Sequence, residues 1–197
     1  MKKIILFVAV VILVFGIYIQ SIDNKIYYVS LGDGYAVGYN NYVKDYINSN
    51  HKLKKYVDVF VDKNNRTIDI INDIENNNVE YNNGEKLYMK QVLIKADLVT
   101  LSVGYNDFLN VNKTDVDLVN DVLSDFEKLL MVLRKNCKEK IVVVDFNQGS
   151  VINERYKDIC SKYDVLYIDV ENNYFPGNVA KSEYADIGKK VTNLLNY

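Results

Sequence analysis

The sequence predicts an α/β domain built on a parallel sheet with helices on both faces. Three observations predict it. Short apolar, β-branched runs recur along the chain, at 26–31, 56–61, 96–103, 140–146 and 165–169. Segments with helical spacing separate them. The run Lys140-Ile141-Val142-Val143-Val144-Asp145-Phe146 does not alternate, as expected of a strand covered on both faces. Strands alternating with helices imply crossover connections, and hence a parallel sheet.

Each element can be justified in order. Ile26 to Leu31 is an apolar strand that ends abruptly in Gly32-Asp33-Gly34. Tyr42 to Ile47 reads as a helix, with Tyr42, Val43, Tyr46 and Ile47 on one face. Tyr56 to Val61 alternates and reads as a short second strand. Asp62 to Asn65 is a turn, and Arg66 to Ile74 a helix with the stripe Thr67, Ile70, Ile71 and Ile74. Asn76 to Gly84 is polar and Asn-rich, an exposed loop, and Glu85 to Lys95 is expected to be helical. Ala96 to Val103 is a buried strand closing in Gly104-Tyr105-Asn106-Asp107. Thr114 is placed to cap a helix from about 115 to 135. The strand 140–146, a helix over 151–162, the strand 165–169 and a last helix over 182–196 complete the order.

The chain has 197 residues, 49% hydrophobic and 25% charged, enough for one domain with a sizeable core. Its net charge is −2, and setting aside Lys2 and Lys3 leaves 22 basic against 26 acidic side chains. That balance excludes a basic nucleic-acid surface. There is no Trp and one Pro, but 17 Tyr, a residue suited to wet surfaces that stack on ligands. Cys137 and Cys160 are too few for a disulfide scaffold and read as small, half-buried apolar residues. No His, Cys and acidic cluster has metal-ligand spacing, so no metal is expected. The glycines Gly32, Gly34 and Gly38 lack G-x-G-x-x-G spacing, so no flavin, nucleotide or other cofactor is expected either.

Met1-Lys2-Lys3 precedes Ile4 to Ile19, a run without charge. A positive start and an apolar run direct a chain to the membrane. The run is long for a signal peptide, and Tyr18 to Asp23 offers no good cleavage site; counted through Ile22 it reaches the length of a span. The expectation is an uncleaved signal anchor over 1–24, a single-pass membrane protein with the domain 25–197 facing outward, or a secreted domain if the leader is cleaved.

The corner at the end of the first strand carries the functional reading. Gly32-Asp33-Gly34-Tyr35-Ala36-Val37-Gly38 resembles the Gly-Asp-Ser-x-x-x-Gly block of the SGNH/GDSL hydrolases. Val103-Gly104-Tyr105-Asn106-Asp107 resembles their Gly-x-Asn-Asp block, and Asn64 to Asp69 the segment that carries their oxyanion glycine. The resemblance covers residues 26–192. It implies a flavodoxin-like three-layer α/β/α sandwich with a five-stranded parallel sheet. It also implies acyl transfer, with a Ser nucleophile, a C-terminal His base and an oxyanion hole.

The sequence departs from that pattern at the reacting groups. The nucleophile position is Gly34, the His position falls near Asn178 and its orienting Asp near Phe175. The chain has one histidine, His51, which reads as an ordinary surface residue between the first helix and the second strand. A hydroxyl is a poor nucleophile without an adjacent base. What remains is a binding set: Asp33, the backbone N–H groups of Gly34 and Asn64, Gly104, and the Asn106 amide. Tyr35, Tyr39, Tyr105 and Tyr174 are expected to rim the pocket. Gly34 could also serve the turn by adopting a positive φ, Asp33 could cap backbone donors, and Asn106-Asp107 could start a loop.

Three functions follow. The first is a degenerate domain that binds a small molecule, an envelope carbohydrate or a partner without turnover. The second is an active esterase-like or lipase-like hydrolase using Asp33 to activate water, or Ser30 or Ser102 as nucleophile, although both serines lie inside predicted strands. The third is a structural or assembly protein with a vestigial pocket.

Overall fold

A computed structural model describes residues 10–12, 25–109, 114–145, 150–170 and 181–195. The main sheet has five parallel strands: β1 (Lys25–Gly32), β2 (Lys52–Val57), β5 (Leu98–Ser102), β6 (Lys140–Asp145) and β7 (Leu166–Asp169). Their order is β2-β1-β5-β6-β7. Between them run α1 (Gly34–Asn50), α2 (Thr67–Glu75), α3 (Met89–Lys95), the single turn α4 (Tyr105–Phe108), α5 (Val116–Asn136), α6 (Ser150–Lys162) and α7 (Lys181–Asn193). The order reverses between β1 and β5, the place where ligands bind in such sheets.

Alternation along the strands sorts the core into two layers. Tyr27, Val29 and Leu31 of β1, with Val99 and Leu101 of β5 and Ile141 and Val143 of β6, pack under α2, α3, α5 and α6. Tyr28, Leu98, Val142 and Val144 face the other way, under α1 and α7. This is the three-layer α/β/α sandwich expected. On the α1 side the strands also carry Ser30, Thr100 and Ser102, all fully buried. The hydroxyls of Tyr28 and Thr100 lie 2.8 Å apart there. α1 and α7 approach closely because Gly38 receives the Tyr184 ring and Gly188 faces the Tyr42 backbone.

Local differences from the sequence reading have local causes. α1 begins at Gly34 rather than Tyr42, because Asp33 caps it directly after the strand. Its buried face is Tyr35, Ala36, Tyr39, Asn40, Val43 and Ile47, one continuous helical stripe. β2 begins at Lys52, and a turn closed by Val61 N–H on the Asp58 carbonyl ends it before Val59. Residues 76–88 are not a loop running into a helix. They hold an antiparallel hairpin, β3 (Val79–Asn82) and β4 (Glu85–Tyr88). Its two-residue turn, Asn83-Gly84, has φ of 50° and 82°, the left-handed pair that Asn-Gly favours in hairpins. Asp115, not Thr114, caps α5, accepting from the N–H groups of Asp117 and Leu118.

The leader expected over 1–24 lies, apart from residues 10–12, outside the described residues. Val10, Val11 and Ile12 are helical and at least half exposed. Among the described residues no helix is long and apolar enough to cross a membrane. Cys137 and Cys160 are both buried and free.

Candidate functional site

Three loops meet at the carboxyl ends of β1, β2 and β5. The first turns at Gly32, whose φ is 138°. A Cβ there would sit 2.1 Å from the Ser102 carbonyl oxygen, so no side chain fits. This close approach lets Asp33 N–H donate to that carbonyl at 3.0 Å. The Asp33 side chain then turns back onto the start of α1, accepting from Tyr35 N–H at 2.9 Å.

Asp33 is fully buried. Burial pushes its carboxyl up to about 7, and the N–H groups of Tyr35, Tyr105 and Ala36 partly offset that rise by favouring the charged form. The carboxyl has no exposed surface, and its Oδ1 accepts from the backbone at the start of α1. The capping reading of Asp33 therefore describes its contacts.

Gly34 is the first residue of α1, and its φ is not positive. The turn does not need glycine at this position. A Cβ would meet Lys63 atoms at 3.6–3.7 Å, ordinary contact. Space for a Cβ is present where the resemblance puts the nucleophile, and the chain leaves it unfilled.

The second loop, 58–66, is tied down by the other two. Asp62 N–H donates to the Gly32 carbonyl at 3.2 Å. The Asn65 amide donates to the carbonyls of Gly32 and Phe60, each at 3.2 Å. Asn64 N–H, the expected oxyanion donor, is already bonded to Asp62 Oδ1 at 2.8 Å.

The third loop supplies the clamps. Gly104, left-handed with φ 108°, leads into α4. Asn106 Nδ2 donates to the carbonyls of Lys63 at 2.9 Å and Asn65 at 2.8 Å, so both its amide hydrogens are engaged. Asp107 accepts from Thr67 N–H at 3.0 Å and from Thr67 Oγ1 at 2.8 Å, closing the start of α2. Burial raises the Asp107 carboxyl above its ordinary range, against the pull of those Thr67 bonds.

The structure thus brings Asp33, Gly34, Asn64, Gly104 and Asn106 to one place, as the sequence reading requires. It corrects their surroundings. Tyr35 and Tyr39 are not on the rim: both are fully buried in α1, because the helix starts earlier and points them at the sheet. Tyr105 is half-buried against the same layer. Ser30 and Ser102 have no exposed surface. His51 follows the C-terminus of α1, and a 17-residue helix at about 1.5 Å per residue separates it from the corner by about 25 Å. Asn178, Phe175 and Tyr174 lie outside the described residues. Sequence reasoning missed Asn65 and Thr67 as ties; Asn65 sits in an Asx-rich turn and Thr67 opens α2, and neither position signals its partner. Among the described residues no group of His, Cys, Asp and Glu could hold a metal ion.

Neither a family model nor a curated protein matches the chain. Solved structures do. A protein described as a GDSL-like lipase, from Bacteroides uniformis, superposes with a TM-score of 0.56 at 13% identity, over 85% of this chain and 94% of that one. A carbohydrate esterase family 2 enzyme with a carbohydrate-binding domain, from Corynascus thermopiles, gives 0.53 at 13% identity, over 88% of this chain and 67% of that one. The fold is therefore SGNH/GDSL-hydrolase-like. At this identity the likeness shows the architecture, and function has to be argued from the site.

Proposed function

We propose that this is a membrane-anchored, outward-facing domain on a GDSL-esterase architecture that binds an envelope carbohydrate or a partner and does not turn it over. The observation that carries the reading is Gly34: the position that the resemblance gives to the nucleophile has room for a Cβ and holds a glycine. Two further features support it. The chain's single histidine lies at the far end of α1. Two of the expected oxyanion donors, Asn64 N–H and the Asn106 amide, are bonded within the protein. An acyl-transfer site needs donors free to meet developing charge.

The Gly34 N–H belongs to the first turn of a 17-residue helix, where donors have no partner within the helix, and it offers a ligand hydroxyl or carbonyl one donor. The carbohydrate assignment draws on the carbohydrate esterase that shares the fold. The anchor draws on the uncharged run 4–19 and the exposed helical residues Val10, Val11 and Ile12.

The test uses the full chain in detergent. Hydrolysis of short-chain p-nitrophenyl esters is measured for the natural protein and for Gly34→Ser, beside sedimentation with insoluble cell-wall glycan. The expected result is no turnover by either protein, with glycan binding by the natural one that Gly34→Ser weakens by filling the open space. Turnover by the natural protein overturns the reading and requires an unconventional nucleophile.

A further inference from the structure

All five strands are parallel, so their first residues share one edge of the sheet. That edge is basic. Lys25, Lys52, Lys54, Lys95, Lys135 and Lys138 lie at or beside strand starts and are exposed. None of the six makes an ion pair among the described residues. The carboxylates at this edge are Asp97, Glu139 and Asp164, with Glu85 just above it, paired to Lys55 at 2.5 Å. Of these, Asp97 is engaged with Tyr27 N–H at 2.7 Å. The opposite edge, where the three loops meet, carries Asp58, Asp62, Asp69, Asp107, Asp115 and Asp117 against Lys63 and Arg66, and Arg66 stands 4.0 Å from Asp69. A domain of net negative charge is thus polarised along its strands.

Helix dipoles explain part of this. Lys95 and Lys135 stand in the last turns of α3 and α5, where cations are favoured. They do not explain Lys25, Lys52 and Lys54, which are on strands. Lys25 and Lys52 are register partners across β1 and β2, side by side with like charge. Two like charges side by side repel mildly even when exposed, and an anion against them relieves that repulsion.

The chain length says what lies there. The uncharged run ends at Ile22, and β1 begins at Lys25. Three residue steps span at most about 10 Å. If the run is in a bilayer, the start of β1 is held at the headgroups, within about one Debye length. We infer that the basic edge formed by Lys25, Lys52, Lys54 and Lys138 docks flat on anionic lipid headgroups, setting the domain upright. The eight-residue β1, at about 3.3 Å per residue, then holds the Gly32–Gly34 corner about 26 Å above them, facing away from the bilayer. This inference rests on the anchor reading and adds to it an orientation and a lipid class.

The test reconstitutes the full chain into lipid nanodiscs of phosphatidylcholine alone or with phosphatidylglycerol, and follows backbone hydrogen exchange. In anionic discs, amides at 52–55 and 137–140 are expected to exchange about tenfold more slowly than in neutral discs, while those at 62–67 are unchanged. The difference is expected to vanish at about 0.5 M salt and in Lys52→Glu/Lys54→Glu/Lys138→Glu, whose circular dichroism matches the natural protein. Incorporation without lipid-dependent protection overturns the docking and leaves the anchor standing. A chain that does not stay with either disc overturns both. Protection at 62–67 instead reverses the orientation and also overturns the inference.

Discussion

Asn106 and Asn65, 41 residues apart in sequence, are joined by the Asn106 side-chain amide donating 2.8 Å to the Asn65 carbonyl. The same amide reaches the Lys63 carbonyl at 2.9 Å. A side chain that the resemblance would aim at a ligand instead fastens one loop to another. Asn106→Ala is therefore expected to act first on stability. Each lost bond is worth about 0.5–1.5 kcal/mol, so a loss of about 1–3 kcal/mol in urea unfolding is expected. A variant as stable as the natural protein would show that the amide is not a structural tie.

The two glycines at the corner should behave oppositely. Gly32→Ala puts a Cβ 2.1 Å from backbone at a φ of 138° and is expected to cost about 3 kcal/mol or more. Gly34→Ala meets only ordinary contacts at the start of a helix and is expected to stabilise by about 0.4–1 kcal/mol, because glycine loses more freedom on folding. Thermal unfolding of the two variants checks both signs.

Asp33 gives stability a pH dependence. Its carboxyl lies near 7 in the folded chain, against an ordinary value of 3.8. Between these values the folded chain holds a proton that the unfolded chain has released, so this group makes stability fall as pH rises from about 4 to about 7. Asp107 is shifted in the same direction. Asp33→Asn keeps a capping oxygen and removes the titration. Between about pH 5 and pH 8 the natural protein is expected to lose more stability than the variant, by up to a few kcal/mol. Parallel urea midpoints for the two proteins would contradict this.

Tyr156 stacks on Phe126 with ring centroids 4.0 Å apart, and its hydroxyl is buried without a hydrogen-bond partner among the described residues. Tyr156→Phe keeps the stack and removes the unpaired group, so its melting temperature should equal or exceed that of the natural protein. Tyr156→Ala should lose about 3–5 kcal/mol. A clear destabilisation by Tyr156→Phe would mean that the hydroxyl has a buried partner.

Cys137 and Cys160 are buried and unpaired, and burial raises both thiols above their ordinary range. Only the thiolate reacts. Both are expected to resist a thiol reagent in the folded chain and to titrate as two equivalents in denaturant. Fast labelling of the native protein would show that one of them opens to solvent.

Much of this was legible in the sequence because periodicity reports burial. The apolar run from 140 onward gave β6, Lys140–Asp145, covered on both faces, and the stripe Thr67, Ile70, Ile71 and Ile74 gave α2 its inner face. The hairpin at 79–88 had a signal too: Asn83-Gly84 between short runs marks a two-residue turn. Its strands are four residues each and mostly exposed, so they carry little alternation to read. The start of α1 is written in Asp33, whose role as a cap sets the helix at Gly34 and turns Tyr35 and Tyr39 inward.

The sequence alone determined the alternation of strands and helices, the glycine at position 34 and a single histidine, since these are facts of composition and local spacing. Only the tertiary structure decided that Asn106 holds Lys63 and Asn65, that Asp107 holds Thr67, and that Lys25 stands beside Lys52. Local sequence fixes which face of an element is buried. The partner of a polar side chain depends on where loops some 40 residues apart come to rest, and that is set by the packing of the whole sheet.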